Sequence, residues 1–550
     1  MAHVFDPVSR LFDEPLTARL CRDATLRWWW GSEACARQTH VGEEDARDAN
    51  ALAQRREAGA AAVRGVLEGP AAALGDALGP PDELARTLGV ATGFPQEHVA
   101  RGVVVAVLVH AYLSWVRDQC ERVGARRVYF VSREGATLAR AFNALTRGAA
   151  HAPGNTTHGR VRAIYLPASR LSTFLPSLDG FTEASIARLW RQYPRQTFAQ
   201  LLRNLSLPRD VFEPLAARHA LAMDRVIEDL AHLRGFFDDS AVQEAFATHR
   251  DQARAAMASY LARKGFFEHP VVAMGDVGWK GSIQTNIELA LRAWHAQASN
   301  RPPVSRPTPP APTSPTSPTS SPSPPTPPTI HGMYLALRHD PALDTAPSTR
   351  AGFLADEPAT GVRNWQSACV FRGGSMFEVA LSVPHRCVSG YHAAPPRPRL
   401  LPGDDPLFAS LNAREREIFQ GPARLTRIAC LRTLRVMAAN ARHRGPIDVE
   451  LARPWLIDML RREIVYPSRA SADSFLEHAH VETFGVFQPS RFDLVTPWRE
   501  LLRGSPIHWP HRVRVALEAH FWPDAIVRRS GVPFANFAFD LMLTRRARNG

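Results

Sequence analysis

Two short polar motifs in this sequence contain the residue types of an anion-binding site. The first is Ser132-Arg133-Glu134-Gly135, and the second is Asp276-Val277-Gly278-Trp279-Lys280-Gly281-Ser282. Arginine and lysine side chains bind phosphate oxygens, and glycine lets backbone N–H groups approach a phosphate closely. Asp276 can accept hydrogen bonds from sugar hydroxyls or help to position a magnesium ion. Together the motifs indicate the chemistry of a phosphorylated small molecule.

Each motif follows a short apolar segment that predicts a buried β-strand. Strands at 127–131 and 271–275 precede the two motifs, and a strand at 163–166 precedes Arg170. A fourth strand is predicted at 331–337. In open parallel sheets, ligands bind beyond the carboxyl ends of the strands, where loops run into helix N-termini. We therefore expect the two motifs and Arg170 to form one pocket.

The alternation of short strands with helices predicts an α/β fold with a Rossmann-like, mainly parallel sheet. We expect three parts: a helical N-terminal segment at 1–95, an α/β core at 96–400 and a helical C-terminal region at 401–550. Within the core, 182–264 predicts a helical insertion, because this stretch is too long for a simple crossover. The Pro/Ser/Thr-rich segment 301–329 predicts a disordered loop, because it cannot bury a core.

Composition narrows the possible classes of protein. The chain is 45% hydrophobic and 22% charged, which is typical of a globular protein. Its formal net charge is +13. Arginine supplies nearly all of the basic residues, because Lys264 and Lys280 are the only lysines. No nucleic-acid-binding motif accompanies that charge, so we expect no nucleic-acid partner. The six cysteines lack the spacing of a disulfide framework or a zinc site.

The sequence also predicts a cytoplasmic protein, either free or peripheral to the inner membrane. The longest apolar run, Val103–Val109, ends at His110 and is shorter than the roughly 20 residues that cross a bilayer. The first residues lack the charged and then apolar pattern of a signal peptide. We therefore expect no transmembrane segment.

The second motif and its strand resemble the phosphoribosyl-diphosphate signature of the type I phosphoribosyltransferases. Residues 271–284, VVAMGDVGWKGSIQ, are similar to that signature's hydrophobic strand, acidic pair and phosphate loop. Residues 128–142, VYFVSREGATLARAF, are similar to the family's earlier strand, loop and helix, whose loop holds the pyrophosphate. Three positions depart from the family pattern: Gly275 replaces the first acid, Lys280 replaces a threonine, and Ile283 replaces the last hydroxyl residue.

This resemblance implies a role for each polar residue of the motifs. Asp276 would hold the ribose hydroxyls and Mg²⁺, and Glu134 would add negative charge near the ion. Arg133 and Arg170 would bind the pyrophosphate, while the loop Lys280–Ser282 would bind the 5-phosphate. The implied catalytic residues are Asp276, Arg133 and Glu134, and the implied substrate-binding residues are Ser132, Gly135, Arg170, Gly278, Lys280, Gly281 and Ser282.

A longer resemblance, over about 96–395, is to a group of bacterial polysaccharide-biosynthesis proteins. Its members often carry a haloacid-dehalogenase-type phosphatase and are commonly labelled predicted hydrolases. The resemblance implies transfer of ribose 5-phosphate from phosphoribosyl diphosphate to a glycan acceptor, either free or lipid-linked. The sequence lacks the Asp-x-Asp-x-Thr/Val nucleophile motif, so the later removal of the phosphate would need a separate phosphatase. The residues that carry this resemblance are Ser132–Gly135, Ala168–Arg170, Asp276–Gln284, His331–Tyr334, Phe377, Glu378, Gly390 and Tyr391.

Two other functions remain open at this point. One is a phosphate hydrolase of the dehalogenase class, with Ser132 and Asp276 as its second and fourth motifs. The other is a non-catalytic partner in a polysaccharide assembly complex, which would make contacts through its Arg-rich surface and Trp28–Trp30. The missing acid at Gly275 favours the second alternative. A generic phosphatase assay tests the first, and co-purification without donor turnover would support the second.

The first prediction concerns Lys280, because arginine supplies nearly every other basic position of the chain. A compact ammonium suits a tight glycine-bounded turn better than a planar guanidinium. We expect Lys280→Ala to weaken donor binding by about 1.5–3 kcal/mol, the range for a hydrogen bond to a charged group. Lys280→Arg should restore little of this loss. Isothermal titration with phosphoribosyl diphosphate and Mg²⁺ measures both, and full binding by both variants would contradict the assignment.

Overall fold

The structure is a computed structural model. The residues that it describes are 57–63, 81–89, 95–149, 161–299, 325–340, 348–357, 368–384, 386–444, 447–476, 479–481, 489–491 and 522–529, with Ala51, Gln54, Leu343, Phe484, Ser505 and Asn536. Three of the sequence predictions fall largely or wholly outside these residues. They concern most of the N-terminal segment, Trp28–Trp30, and the Pro/Ser/Thr-rich loop up to residue 324.

Five parallel strands form the central sheet. The strands are β1 (Arg127–Phe130), β2 (Arg162–Tyr165), β3 (Val271–Asp276), β4 (Thr329–Arg338) and β5 (Thr349–Glu357). Their order in the sheet is β2-β1-β3-β4-β5, and every neighbouring pair is parallel. The predicted α/β class and the four predicted strands are confirmed, whereas β5 was not predicted.

Helices precede, connect and follow these strands. In chain order they are α1 (Pro81–Thr87), α2 (Pro95–Val123), α3 (Gly135–Ala149), α4 (Arg170–Phe174), α5 (Glu183–Gln192), α6 (Phe198–Asn204), α7 (Arg209–Arg218), α8 (Arg234–Phe237), α9 (Ser240–Arg263), α10 (Ser282–Ser299), α11 (Ala368–Arg372), α12 (Gly374–Leu381), α13 (Pro406–Gln420), α14 (Pro422–Arg444), α15 (Val449–Val465), α16 (Arg469–Leu476) and α17 (Pro523–Arg529). Two antiparallel pairs complete the strands: β6 (Val388–His392) with β7 (Arg397–Leu400), and β8 (Ala479–Val481) with β9 (Pro489–Arg491).

Successive side chains of a strand point to opposite faces of the sheet. Helices cover the side chains on both faces. Phe130 of β1 packs on Phe142 of α3, with ring centroids 5.8 Å apart. The preceding residue, Tyr129, belongs to the core of the other face, with Met257 of α9 and Ile287 of α10. Strands covered on both faces carry continuous apolar runs, and this explains why β1 and β3 were readable from sequence.

The C-terminal helices pack directly against α2. A Cβ at Gly102 of α2 would lie 2.6 Å from the Cβ of Ala429 and from the carbonyl oxygen of Thr426, so this glycine permits close approach of α14. Arg101 donates from Nη2 to Ser474 Oγ of α16 at 2.8 Å. These contacts hold the C-terminal helices against the helix that covers the sheet.

Helix α2 extends well beyond the apolar run Val103–Val109 on both sides. Among the described residues it is the one helix with the length and composition to cross a membrane, and its apolar window is entirely buried inside the protein. Burial lowers the pKa of His110 to about 4, so this side chain is neutral at neutral pH and does not interrupt the apolar run. Complete burial is typical of the core helix of a globular protein.

The second prediction concerns Gly275, the position at which the resembled signature has an acid. A Cβ there would lie 2.5 Å from Cε1 of the Phe130 ring, so the strand has no room for a side chain. We expect Gly275→Ala to lower the free energy of unfolding by about 1–3 kcal/mol, as overpacking does. Adding Phe130→Leu should recover part of that loss.

Gly278→Ala is the matched control, because a Cβ at Gly278 meets no atom within 4 Å. Its stability should stay within about 0.5 kcal/mol of the unmodified protein. Urea unfolding measures all three variants. Equal stability of Gly275→Ala and Gly278→Ala would show that the strand tolerates a side chain at 275.

Candidate functional site

The carboxyl ends of β1 and β3 lie side by side, joined by a hydrogen bond from Val131 N to Gly275 O at 3.1 Å. The chain adds β2 outside β1 and then returns to place β3 on the other side. Ligands of doubly wound sheets bind at such a switch point. A cavity of about 470 Å³ opens at this place, which is within the size range of small-molecule sites.

Nine of the ten site residues predicted from the sequence line this cavity. They are Ser132, Arg133, Glu134, Arg170, Asp276, Gly278, Lys280, Gly281 and Ser282. The tenth, Gly135, is not among the lining residues. A Cβ at Gly135 would lie 2.6 Å from the carbonyl oxygen of Phe130, so this glycine lets α3 begin against the end of β1.

Asp276 lies partly buried at the end of β3. Its Oδ1 accepts a hydrogen bond from Val277 N at 2.8 Å, and its Oδ2 accepts one from Ser132 Oγ at 3.3 Å. Ser132 has a φ of +62°, in the left-handed region that L-residues rarely adopt. Burial raises the pKa of Asp276 well above its usual value, and the nearby Glu134 carboxylate raises it further.

Glu134 and Glu378 bring two more carboxylates to the same cavity. Glu134 is buried and accepts a hydrogen bond from Ser382 Oγ. Burial raises the pKa of Glu134; Arg133 opposes this shift, and Glu378 adds to it. Glu378 accepts a hydrogen bond from Trp279 Nε1 at 2.9 Å. The cavity therefore has three carboxylates close to the ends of β1 and β3.

The two predicted arginines are both held by neighbouring side chains. Arg133 forms an ion pair with Glu415 of α13, and its guanidinium lies 5.0 Å from the centroid of the Phe419 ring. The charge of Arg133 is therefore already matched by a carboxylate of the C-terminal region. Arg170 donates from Nη1 to Tyr193 OH at 2.8 Å, and it lies over the Phe484 ring at 5.6 Å.

The loop before α10 contains one glycine that the backbone requires. Gly281 has a φ of +72°, and a Cβ there would lie 2.9 Å from Tyr334 OH. Gly278, which was also expected to need glycine's freedom, lacks a positive φ and faces open space. Lys280 is half exposed, with Nζ 3.9 Å from Asp340 Oδ2. This exposure places the effect of Lys280→Ala in the lower part of its predicted range, because solvent screens the charge.

Several lining residues were not identified as site residues from the sequence. Glu378 belongs to one of the resembling motifs, but that motif gave it no role. Arg188 and Arg191 lie three residues apart on α5, a spacing that places both on one side of a helix. A pair of arginines in a helical insertion is an ordinary surface pattern, and only the tertiary packing of α5 brings this pair to the cavity.

The carboxylates fit Mg²⁺ only as part of a metal–phosphate complex. Within the described ranges, no three His, Cys, Asp or Glu side chains are placed to hold an ion among themselves. Mg²⁺ in phosphate sites is commonly bound by one or two carboxylates, with substrate oxygens and water completing the octahedron. Asp276 can supply one such carboxylate.

No protein family model matches the chain, and no curated protein matches it either.

The third prediction follows from the raised pKa of Asp276. A carboxyl group with a higher pKa in the folded state than in the unfolded state destabilises folding as the pH rises above the unfolded value, roughly 3.9. Asp276→Asn keeps an acceptor for Val277 N but cannot ionise. We expect its stability advantage over the unmodified protein to grow between about pH 4 and pH 8.

Thermal or urea unfolding at a series of pH values measures this difference. Asp224→Asn, at an exposed residue outside the cavity, is the control and should follow the unmodified protein. A stability difference for Asp276→Asn that stays constant or shrinks as the pH rises would contradict the prediction.

Proposed function

We propose that this chain transfers ribose 5-phosphate from phosphoribosyl diphosphate to a glycan acceptor in bacterial surface polysaccharide synthesis. The observation that carries the proposal is the meeting of Asp276, the loop 278–282 and cationic side chains in one cavity at the β1/β3 switch point. This set combines a carboxylate suited to ribose hydroxyls with cations and N–H groups suited to phosphate. Its elements follow in the order of the phosphoribosyltransferase-like motifs in the sequence.

The loop 278–282 and the neighbouring Asp276 orient the donor. The 5-phosphate binds at the start of α10, where Ser282 begins an 18-residue helix whose first N–H groups are free of intrahelical partners. Lys280, in the loop just before α10, adds a cation to the cavity wall. Asp276, at the end of β3, accepts hydrogen bonds from the 2- and 3-hydroxyls. Because no side chain fits at Gly275, the ribose contact on β3 depends on Asp276 alone.

In the reaction, the bond between the anomeric carbon and the diphosphate oxygen breaks, and a hydroxyl oxygen of the acceptor forms a new bond to that carbon. Positive charge develops on the ribose ring and negative charge on the leaving diphosphate, so cations around the diphosphate stabilise the transition state. Arg170 supplies one cation. The positive charge of Arg133 is partly offset by its ion pair with Glu415, so Arg133 contributes less to the stabilisation of the diphosphate. Asp276 would hold Mg²⁺ in part, and the ion would then supply further positive charge near the diphosphate.

The hydroxyl proton of the acceptor must leave as the new bond forms. Glu134 is the side chain we assign to accept it, because the carboxylate lines the cavity and burial raises its pKa above the usual value of a glutamate. Ser382 orients the carboxylate through its hydrogen bond. A carboxylate with an ordinary low pKa would be a weaker base for this step.

We place the reaction in the cytoplasm, at the inner membrane where the acceptor is lipid-linked, with a separate phosphatase for the 5-phosphate. The dehalogenase-type alternative, with Ser132 and Asp276 as its second and fourth motifs, also requires an Asp-x-Asp-x-Thr/Val nucleophile motif, which the sequence lacks. An assay with a generic phosphate monoester tests that alternative directly. Release of phosphate at a rate above that of the Asp276→Ala variant would favour hydrolysis over transfer.

The fourth prediction tests the central assignment of Asp276. We expect Asp276→Ala to weaken Mg²⁺-dependent binding of phosphoribosyl diphosphate by about tenfold or more, the effect of losing a hydrogen bond to a charged group. Transfer of ribose 5-phosphate, followed by mass spectrometry of the acceptor, should fall below detection. Isothermal titration measures the binding, with Asp224→Ala as the exposed control. Unchanged binding by Asp276→Ala would remove the assignment.

A further inference from the structure

The cavity has opposite charge on two of its sides. The carboxylates Glu134, Asp276 and Glu378 lie toward the ends of β1 and β3, while α5 of the helical insertion brings Arg188 and Arg191 to the wall. We infer that Arg188 and Arg191 bind the phosphate group of a sugar-phosphate ligand, so that the insertion forms one side of the phosphate site. The inference deepens the proposed function and rests on it only in taking a sugar phosphate as the ligand.

Arg188 is a partly buried cation that no carboxylate matches directly. Its guanidinium lies 5.0 Å from the centroid of the Phe174 ring, and Nη2 donates to Ser177 Oγ at 3.1 Å. Among the described residues, no Asp or Glu oxygen lies within ion-pair distance of it. Burial and, after it, repulsion by Arg191 lower the pKa of Arg188 to about 10. An anion bound at this place would relieve both effects.

Arg191 adds a second cation at the same wall. It lies three residues after Arg188, is exposed to solvent and lines the cavity. No salt bridge joins Arg191 to a carboxylate within the part of the chain that the structure describes. A guanidinium group can donate two parallel N–H bonds to phosphate oxygens, so each of the two arginines is suited to bind phosphate.

The position of α5 also relates this wall to the loop before α10. Asp340 lies 3.9 Å from Lys280 Nζ, and the same carboxylate acts electrostatically on Arg188. Lys280 and Arg188 therefore both lie near this carboxylate, and Arg191 lies near enough to repel Arg188. Three cations, Lys280, Arg188 and Arg191, thus reach this part of the cavity wall. A phosphate monoester, which carries nearly two negative charges at neutral pH, complements this excess.

An N-terminal cap and two buried side chains fix the position of α5, which carries Arg188 and Arg191. Thr182 caps its first turn by accepting a hydrogen bond from Ser185 N at 3.2 Å, and Ile186 and Leu189 are fully buried. The next residue after the helix, Tyr193, accepts the hydrogen bond from Arg170. The insertion is thus packed into the core at the cavity, where Tyr193 contacts Arg170 and α5 carries Arg188 and Arg191.

Isothermal titration with ribose 5-phosphate and with ribose tests this inference without any turnover. The unmodified protein should bind ribose 5-phosphate more tightly than ribose. Arg188→Gln and Arg191→Gln should each weaken ribose 5-phosphate binding by about tenfold or more. Both should leave the binding of ribose unchanged. Arg225→Gln removes the same charge from an exposed position of the insertion outside the cavity and should bind as the unmodified protein does.

Thermal unfolding without ligand separates binding from folding. Arg191 is exposed, so Arg191→Gln should unfold at the same temperature as the unmodified protein. Inorganic phosphate should raise that temperature for the unmodified protein and for Arg225→Gln, but less for Arg191→Gln. Arg188→Lys, which keeps a charge but loses the guanidinium, should recover only part of the binding.

Equal binding of ribose 5-phosphate by the unmodified protein and the two cavity variants would overturn the inference, as would binding that does not depend on the phosphate. The proposed function fails by a different result. If phosphoribosyl diphosphate is not turned over while ribose 5-phosphate binding depends on Arg188 and Arg191, the phosphate site stands and the transfer reaction does not.

Discussion

The pairing of β1 with β3 is the interaction on which the candidate site depends. The hydrogen bond from Val131 N to Gly275 O aligns the two strand ends, so that Ser132 and Asp276 emerge next to each other. The pairing is tight because the ring of Phe130 occupies the space where a side chain at Gly275 would lie. The same packing excludes a second acid from β3. A family pattern with two acids therefore cannot be present at this place.

Different elements of the fold contribute the carboxylates and the cations of the cavity. Three carboxylates reach the cavity from the end of β3, the residues after β1 and α12: Asp276, Glu134 and Glu378. Their mutual repulsion and desolvation favour a bound cation or a proton. The insertion and the loop before α10 contribute cations. Between them, Arg133 is neutralised by Glu415 of α13, so the C-terminal region sets the electrostatics of a motif nearly 300 residues earlier in the chain. A ligand with a polyol end and a phosphate end matches this distribution.

Local sequence patterns were sufficient to predict the elements that form the cavity, and tertiary contacts explain what they missed. Strands β1, β3 and β4 carry or lead into apolar runs of four or five residues, whereas the run of β5 has three and lies between Gly352 and Asp356. The motif after β1 predicted that Arg133 would lie in the site, but not that Glu415 would pair with it. Likewise, Arg188 and Arg191 gain their place only from the packing of α5. The expected roles of the site residues remain predictions.

In the proposed reaction, Asp276, which burial and Glu134 bias toward its protonated form, becomes a charged ligand of Mg²⁺ and phosphoribosyl diphosphate. Isothermal titration of this donor with Mg²⁺, in two buffers of different ionisation enthalpy at one pH, counts the protons released on binding. We predict net proton release by the unmodified protein and a smaller release by Asp276→Asn. Equal proton release by the two proteins, or the absence of donor binding by the unmodified protein, would contradict the claim.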